Sequence, residues 1–348
     1  MAVIGVLGAT GATGRGVAKE LSARGHALVL LGRRREAMAE LAETLGPAEI
    51  RLADCQEPST LGPACVGLGA VVSCVGPYTR IGFAMAEAAV ANGVHYVDMT
   101  GEPQYVLRLI HELDKRARDR GVAIIPGVAA MCVTGDLAAA DAVARLGEPV
   151  ASVIVGYRLP VLRPSPGTVS SYAHIFADGA LEVRDGALLR AGPGDRIATF
   201  PSGTGFTTPG VDPVAISRWC DANEVGLYML APAAGVTRYA ARGLSRMARL
   251  RSVRRGWEYL GRRVPAHPGD SGTERWYAEA VATGPCGWAA TRVRAHSAYP
   301  FTSKAAALAA AAVTGGIPVA GVCGPSQVLN QEAATALGLT FEELDPAA

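Results

Sequence analysis

Eight residues near the start of the chain, Gly8-Ala9-Thr10-Gly11-Ala12-Thr13-Gly14-Arg15, have the types and spacing of a phosphate cradle. Glycines let a backbone turn tightly and approach an anion, which the free N–H groups and positive dipole end of a following helix then hold. The run Val3-Ile4-Gly5-Val6-Leu7 before it reads as a buried strand, and Val17-Ala18-Lys19-Glu20-Leu21 after it as a helix. That context makes Gly8, Thr10, Gly11, Ala12, Thr13 and Gly14 candidate pyrophosphate contacts. The spacing is G-x-x-G-x-x-G rather than G-x-G-x-x-G, so an ordinary strand-to-helix turn is the alternative. The second strand, 27–31, ends at Gly32-Arg33-Arg34-Arg35. A fold selective for NAD places an acid here for the ribose 2′-hydroxyl, whereas arginine suits the 2′-phosphate of NADP. Three arginines and no acid predict NADPH, held by Arg33 and Arg34; a solvated basic loop is the alternative. Asp54, after the strand-like 49–52, is placed for the adenine side or for a turn.

Three further loops fall where ligands of open parallel sheets bind, at the C-terminal strand ends. In Ser73-Cys74-Val75-Gly76-Pro77-Tyr78, the residues Ser73, Val75, Gly76 and Pro77 are expected to flank the nicotinamide ribose, and Tyr78 offers a phenol. Asp98-Met99-Thr100-Gly101-Glu102 brings two carboxylates and a hydroxyl together, with Thr100 and Gly101 as cofactor contacts. The third loop is 126–131. For proton transfer Tyr78 ranks first, with Tyr299 and Glu102 behind it. The structural alternatives are packing for Tyr78 and N-capping of a helix from Pro103 for Asp98 and Glu102. His95 reads as a core histidine. No histidine or acid cluster has metal-ligand spacing, and the hydrolase element G-x-S-x-G is absent.

Positioning these loops takes alternating elements. Helices are expected at 35–45, 58–66, 84–92 and 104–120, and strands at 49–52, 70–75, 94–97 and 122–125. Six βα-type units then stack by right-handed crossovers into one parallel, Rossmann-type sheet. From Thr134 the pattern changes. A helix at 136–146 precedes β-branched and aromatic runs at 150–159, 187–189, 196–200, 276–283 and 288–296, which predict an α+β domain with a mixed, largely antiparallel sheet. Helices at 303–314 and 327–337 follow. The expected division is 1–130 for the cofactor domain, 131–302 for a substrate domain, and 303–348 for helices returning to the first.

The 348 residues suffice for two domains with sizeable cores. Aromatics are 6% against 49% hydrophobic residues overall, so small aliphatic side chains fill the interior. A net charge of +2 gives no bulk attraction to nucleic acid. Seven scattered cysteines without a C-x-x-C pair suit free thiols in a reducing cytoplasm. No targeting segment or apolar run of membrane-spanning length is evident.

The segments Val71 to Gly82 and Val94-His95-Tyr96-Val97-Asp98-Met99-Thr100-Gly101-Glu102 resemble the saccharopine dehydrogenase-like oxidoreductases, nearest the bacterial trans-acting enoyl reductases. The Gly8–Gly14 turn and Gly32-Arg33 fit the same family, as do Arg275 and the Tyr299-Pro300-Phe301-Thr302 element. The likeness is specific over 1–125, patchy over 265–325 and weak between. It implies NADP(H) binding and hydride transfer to an activated double bond. One element departs: the family's G-F-D-S-x-P-S-D-L is here Gly127-Val128-Ala129-Ala130-Met131-Cys132-Val133-Thr134-Gly135-Asp136-Leu137, without the first aspartate, the serine and the proline. An altered substrate pocket is expected.

An NADPH-dependent reductase of an activated C=C bond is therefore the leading expectation. An imine reductase is the enzymatic alternative, and a non-catalytic NADPH sensor the alternative of another class. Expected partners are a small-molecule or thioester-linked substrate, with an acidic carrier protein and a second copy of the chain as further candidates. The carrier idea rests on 238–263, with nine arginines and one acid, Glu258. Arg238, Arg242, Arg246 and Arg249 share one face of an expected helix, while Leu244, Met247, Leu250, Val253, Trp257 and Leu260 form an apolar stripe. A surface helix packed on its own domain is the plainer reading, and membrane-surface binding a third.

Overall fold

The computed structural model describes residues 2–159, 166–261, 263–264 and 275–345. In chain order the main elements are β1 (Val3–Leu7), α1 (Ala12–Ala23), β2 (Ala27–Gly32), α2 (Arg35–Leu45), β3 (Ala48–Leu52), α3 (Leu61–Cys65), β4 (Ala70–Ser73), α4 (Phe83–Ala91), β5 (His95–Asp98), α5 (Pro103–Asp119) and β6 (Ala123–Ile125). There follow α6 (Ala130–Leu146), β7 (Ser152–Arg158), α7 (Pro166–Asp178), β8 (Ala180–Arg184), β9 (Ala187–Ala191), β10 (Ile197–Phe200), β11 (Gly203–Thr207), α8 (Asp212–Ile216), β12 (Glu224–Leu230), α9 (Ala234–Ala248), α10 (Arg251–Gly261), β13 (Arg275–Thr283), β14 (Trp288–His296), α11 (Ala298–Thr314), β15 (Gly321–Val322), α12 (Gln331–Ala336) and β16 (Thr340–Leu344). Two compact units result. One takes Met1–Thr100, Gln104–Ala130 and Ala298–Leu337; the other takes Gly101–Pro103, Met131–Ser297 and Gly338–Ala348.

The first unit is a parallel sheet in the order β15-β6-β5-β4-β1-β2-β3. Strand β1 pairs β2 on one side and β4 on the other, so the direction of winding reverses there and leaves a crevice at the strand ends. Residues of both pleat parities are buried, among them Leu30, Leu31, Val71, Val72, Tyr96 and Val97, because helices cover both faces. The seventh strand, β15, was not anticipated: two residues carry no periodic signal. Helix α11 packs on α1, and its alanines 305, 306, 309 and 310 are fully buried. The approach is so close that a Cβ on Gly16 would lie 2.8 Å from the Ser303 Cβ.

The second unit is a mixed sheet along β10-β11-β12-β7-β13-β14-β16, with β8 and β9 branching from β12. Only β12 and β7 run parallel; the other pairings are antiparallel. The structure differs from expectation at several elements. Helix α7 begins Pro-Gly-Thr-Val-Ser-Ser, a run of weak helix formers, and is held by packing: Phe176 meets Trp257 edge-on at 6.5 Å, and Ser245 donates to the Phe176 carbonyl. Helix α6 starts at Ala130 rather than 136. The final segment does not return to the first unit as helices alone; β16 pairs β14, drawn there by Arg292 and Arg294 facing Glu342.

The stretch 238–263, expected as one helix, breaks into α9 and α10. Its apolar stripe divides as well. Met247, Leu250 and Leu260 are more than half exposed, while Leu244, Val253 and Trp257 are half-buried. Arg242 is not a free surface charge, since it pairs with Asp195 at 3.3 Å. Arg262 and the Glu258 side chain lie outside the described residues. Among the described residues, no helix is long and apolar enough to cross a membrane.

The helix contact at Gly16 gives a clean stability test. Gly16→Ala is expected to cost about 1–3 kcal/mol through overpacking. Gly243→Ala, in a helix where nothing stands within 4 Å of the added Cβ, is expected to be stabilising by roughly 0.5–1 kcal/mol. Urea unfolding midpoints of the two variants check the pair; equal effects would mean that α1 and α11 do not need the glycine.

Candidate functional site

The three glycines of the first turn serve different ends. Gly8 has φ +77°, a left-handed conformation that suits glycine. A Cβ on Gly14 would lie 2.8 Å from the Gly8 carbonyl carbon and 2.9 Å from the Ala9 Cα, so this position is closed to any side chain by backbone. Gly11 is exposed, and the nearest atom to its Cβ direction is the Gly8 carbonyl oxygen at 3.2 Å. Gly11 is also the N-cap of α1, and no side chain caps it and no acid sits in the first turn. The helix therefore begins with uncapped N–H groups beside an open glycine surface at Ala12 and Thr13, which is the cradle that a pyrophosphate needs.

Past β2, Arg34 donates to the Thr10 hydroxyl at 3.1 Å and so links the arginine loop to the turn. The Arg33 side chain is 65% exposed and stands 3.9 Å from the Asp54 carboxylate. Asp54 accepts the Gln56 N–H at 2.9 Å, the turn role weighed for it. No acid replaces the arginines at the end of β2, which leaves their forked donors available for a phosphate.

The loop after β4 corrects the ranking of proton donors. Tyr78 is buried, donates to the Ser73 carbonyl at 2.9 Å and stacks on Tyr105 at 5.5 Å. Burial, reinforced by the neighbouring Asp98, pushes its phenol well above the usual tyrosine range. A hydroxyl so committed acts as a strut under the loop rather than as a donor to a ligand. Ser73 is fully buried too, whereas Gly76 is exposed and Val75 and Pro77 partly so.

Asp98 is the residue whose part the chain pattern did not reveal. It is fully buried and caps no helix; its Oδ1 accepts the N–H groups of Thr100 at 2.9 Å and of Gly127 at 3.2 Å. One carboxyl thereby fastens the loop after β5 to the loop after β6. Burial raises its pKa to about 7, against the opposing pull of those two N–H groups and of the Tyr96 and Tyr105 hydroxyls. Thr302 fastens the same region from another side: it accepts the Ala130 N–H at 3.1 Å and donates to the Ala298 carbonyl. Half-buried Tyr299 stands three residues before it on α11. His95 is a strand-to-strand tie, accepting the Ala123 N–H at Nδ1.

Glu102 and Gly101 fall in the second unit. Glu102 is fully buried and accepts from Ser171 on α7 at 3.0 Å. The altered segment around 127–137 forms the start of α6. There the Tyr157 hydroxyl bonds Asp212 at 2.6 Å and also reaches the Met131 carbonyl, and Trp219 donates to Asp136 at 2.8 Å. Burial raises Asp212 to about 6. These partners lie up to 83 residues apart in sequence, so no local pattern announces them.

An open glycine cradle, an arginine-bearing second strand and a switch-point crevice define a dinucleotide-binding domain of the oxidoreductase class. Residues 4–125 match the family model of the saccharopine dehydrogenase NADP binding domain. Over these residues the first unit is similar to a saccharopine dehydrogenase NADP binding domain, which supports NADPH as the cofactor. A trans-acting enoyl reductase of Mycobacterium tuberculosis is 35% identical over 124 residues, 34% of this chain and 30% of that protein. A lipid droplet localized protein of Caenorhabditis elegans is 28% identical over 144 residues, 38% of this chain and 34% of its own. This chain spans about a third of the length of these curated relatives. An apo saccharopine dehydrogenase (L-Glu forming) from Saccharomyces cerevisiae superposes over 99% of this chain and 100% of its own, with a TM-score of 0.60 and 13% identity, and shares the fold.

Two measurements test the site. Gly11→Val is expected to keep the fold and abolish NADPH binding, whereas Gly14→Val is expected to lose stability, since a Cβ at Gly14 would lie 2.8 Å from the Gly8 carbonyl carbon while at Gly11 the nearest backbone atom is 3.2 Å away. Titration by NADPH fluorescence beside thermal unfolding separates them, and a Gly11→Val protein that binds normally would place the cradle elsewhere. Asp98 carries a pKa raised from 3.8 to about 7, so its contribution favours the fold below pH about 4 and is lost as pH rises through 7. Asp98→Asn keeps the neutral acceptor at all pH. Its stability relative to the unmodified chain should therefore climb between pH 4 and 8, by an amount on the order of 4 kcal/mol. A difference that stays constant with pH would show that Asp98 does not titrate there.

Proposed function

We propose that this protein is an NADPH-dependent reductase of an activated C=C bond, of the enoyl type, with a thioester-linked or small biosynthetic substrate. The observation that carries the reading is the cradle at Gly11, open to a ligand and linked through Thr10 and Arg34 to an arginine loop. NADPH would lie along Gly8 to Gly14 with its 2′-phosphate toward Arg33 and Arg34, and supplies a hydride when bound. The enoyl assignment draws on the mycobacterial relative, whose likeness covers the cofactor half. The fold shared with saccharopine dehydrogenase favours the second reading, reduction of a C=N bond.

The chain's own groups orient and protonate. Asp98 and Thr302 hold the loops after β5 and β6 rigid, so the reacting face is set before substrate arrives. Tyr299, half-buried on α11 three residues before Thr302, is the proton donor we favour; Tyr78 is committed to its own loop through Ser73 and Glu102 lies buried beside Ser171. The exposed Arg246, Arg249 and Arg255 suit docking of an acidic carrier protein. The seven cysteines are free thiols, which suits a reducing cytoplasm.

NADPH absorbance followed with enoyl thioesters, and then with amine and ketone mixtures, tests the function. Oxidation with the thioesters is expected, with NADPH bound at least tenfold tighter than NADH, about 1.4 kcal/mol. Arg33→Ala should erase most of that preference. Tyr299→Phe should lower turnover by about 10²–10⁴-fold with NADPH affinity unchanged, and Tyr78→Phe by much less. Turnover with the amine mixtures alone would favour the imine reading, and tight NADPH binding without any turnover would indicate a sensor.

A further inference from the structure

The second sheet carries a groove of about 730 Å³, a volume suited to a small-molecule ligand. Arg158 ends β7, Arg275 begins β13, and Arg294 and His296 close β14, with Tyr277 and Thr340 beside them. The strand register lines these residues up. Tyr277 lies opposite Arg158 on one side and Arg294 on the other; Arg294 lies opposite Thr340, and Arg275 opposite His296. Residues directly opposite, and those two apart, share a face of a sheet. Three guanidiniums and an imidazole thus converge on one surface, and among the described residues no carboxylate lines the groove.

Elsewhere on this sheet the arginines are neutralised. Arg184 pairs with Glu182, Arg196 with Glu182 and Glu224, and Arg292 with Glu279 and Glu342. In the groove only Arg294 has such a partner, Glu342 at 2.9 Å. Among the described residues no ion pair or hydrogen bond engages Arg158 or Arg275, and both are exposed. Cations gathered across neighbouring strands repel one another, so their place on the fold is unfavourable until an anion arrives. With Arg294 offset by Glu342, two guanidinium charges remain. A phosphate monoester carries close to two negative charges at neutral pH and accepts forked arginine donors. A carboxylate would leave one of these charges unmet.

We propose that this groove is a binding site for a phosphate monoester, presented either by a small phosphorylated metabolite or by a nucleotide handle such as a thioester carrier bears. The site lies within the second unit and stands independently of the reductase reading. Its test uses no turnover, so the failure of one leaves the other intact.

The full chain is titrated calorimetrically at low ionic strength with inorganic phosphate and with adenosine 3′,5′-bisphosphate. Both are expected to bind, and added sodium chloride should weaken them. Arg158→Gln combined with Arg275→Gln should weaken both at least tenfold. The charge-preserving Arg158→Lys with Arg275→Lys should retain part of the affinity and shows that a loss is not misfolding. The same weakening by the Gln pair is expected in an Arg33→Ala background, which removes the contribution of the cofactor cradle to the signal. Tighter binding of the bisphosphate assigns the groove to a nucleotide handle, and equal affinities assign it to a small phosphate ester. No binding by the unmodified chain, or binding untouched in the double Gln variant, overturns the proposal.

Discussion

The first unit depends on how closely two stretches of backbone approach each other at the end of β1. Gly8 turns the chain through a left-handed conformation, and Gly14 brings the first turn of α1 against it with no room for a side chain. Because α1 must lie this near, its next helix contact is also tight: Gly16 meets Ser303 on α11. The residue before Ser303 on α11, Thr302, accepts the Ala130 N–H. A single steric demand at the cradle therefore propagates through α11 to the loop after β6. The alanine-rich composition follows from this, since larger side chains on α11 would hold the helices apart.

Polar burial sets the remaining order. Asp98 gives up hydration to serve two backbone N–H groups from separate loops, and burial raises its pKa against their pull. Asp212 does likewise in the second unit, where it meets Tyr157 at the start of α6. Such groups contribute little net stability, but they admit few alternative arrangements, because moving either loop would leave a buried donor or acceptor unpaired. Rigid loops beside a cofactor cradle are what a hydride acceptor requires, as small displacements of the reacting atoms lower rates sharply.

Charge works differently on the second sheet. Arginine and glutamate pairs recur from β8 to β16, within β8 at Glu182 and Arg184 and across strands at Arg292 and Arg294; the pairs to Glu342 are partly open to water and add only modest stability, while Arg292 with Glu279 is nearly buried. Their value is in register: a one-residue slip would carry one member of each cross-strand pair to the other face and break it. Arg158 and Arg275 depart from that pairing and are the exception that marks a surface for binding.

The sequence by itself determined the cofactor unit. Glycine spacing, strand–helix alternation and the arginines after β2 are local signals, and each follows from backbone sterics or charge within a few residues. It also determined that Arg33 and Arg34, and not an acid, end the second strand. Only the tertiary structure decided what the candidate acids and phenols do. Asp98 and Glu102 look alike in sequence, as do Tyr78 and Tyr299, yet the fold parts them: Asp98, buried like Glu102, is spent on Gly127, 29 residues away, where Glu102 meets Ser171, and Tyr78 is buried against Ser73 where Tyr299 is half-buried. Strands β15 and β16, the break between α9 and α10, and the arginine groove were likewise settled by packing and register between distant segments. Hydrogen-bond satisfaction and burial are properties of the assembled fold, and no window of neighbouring residues contains them.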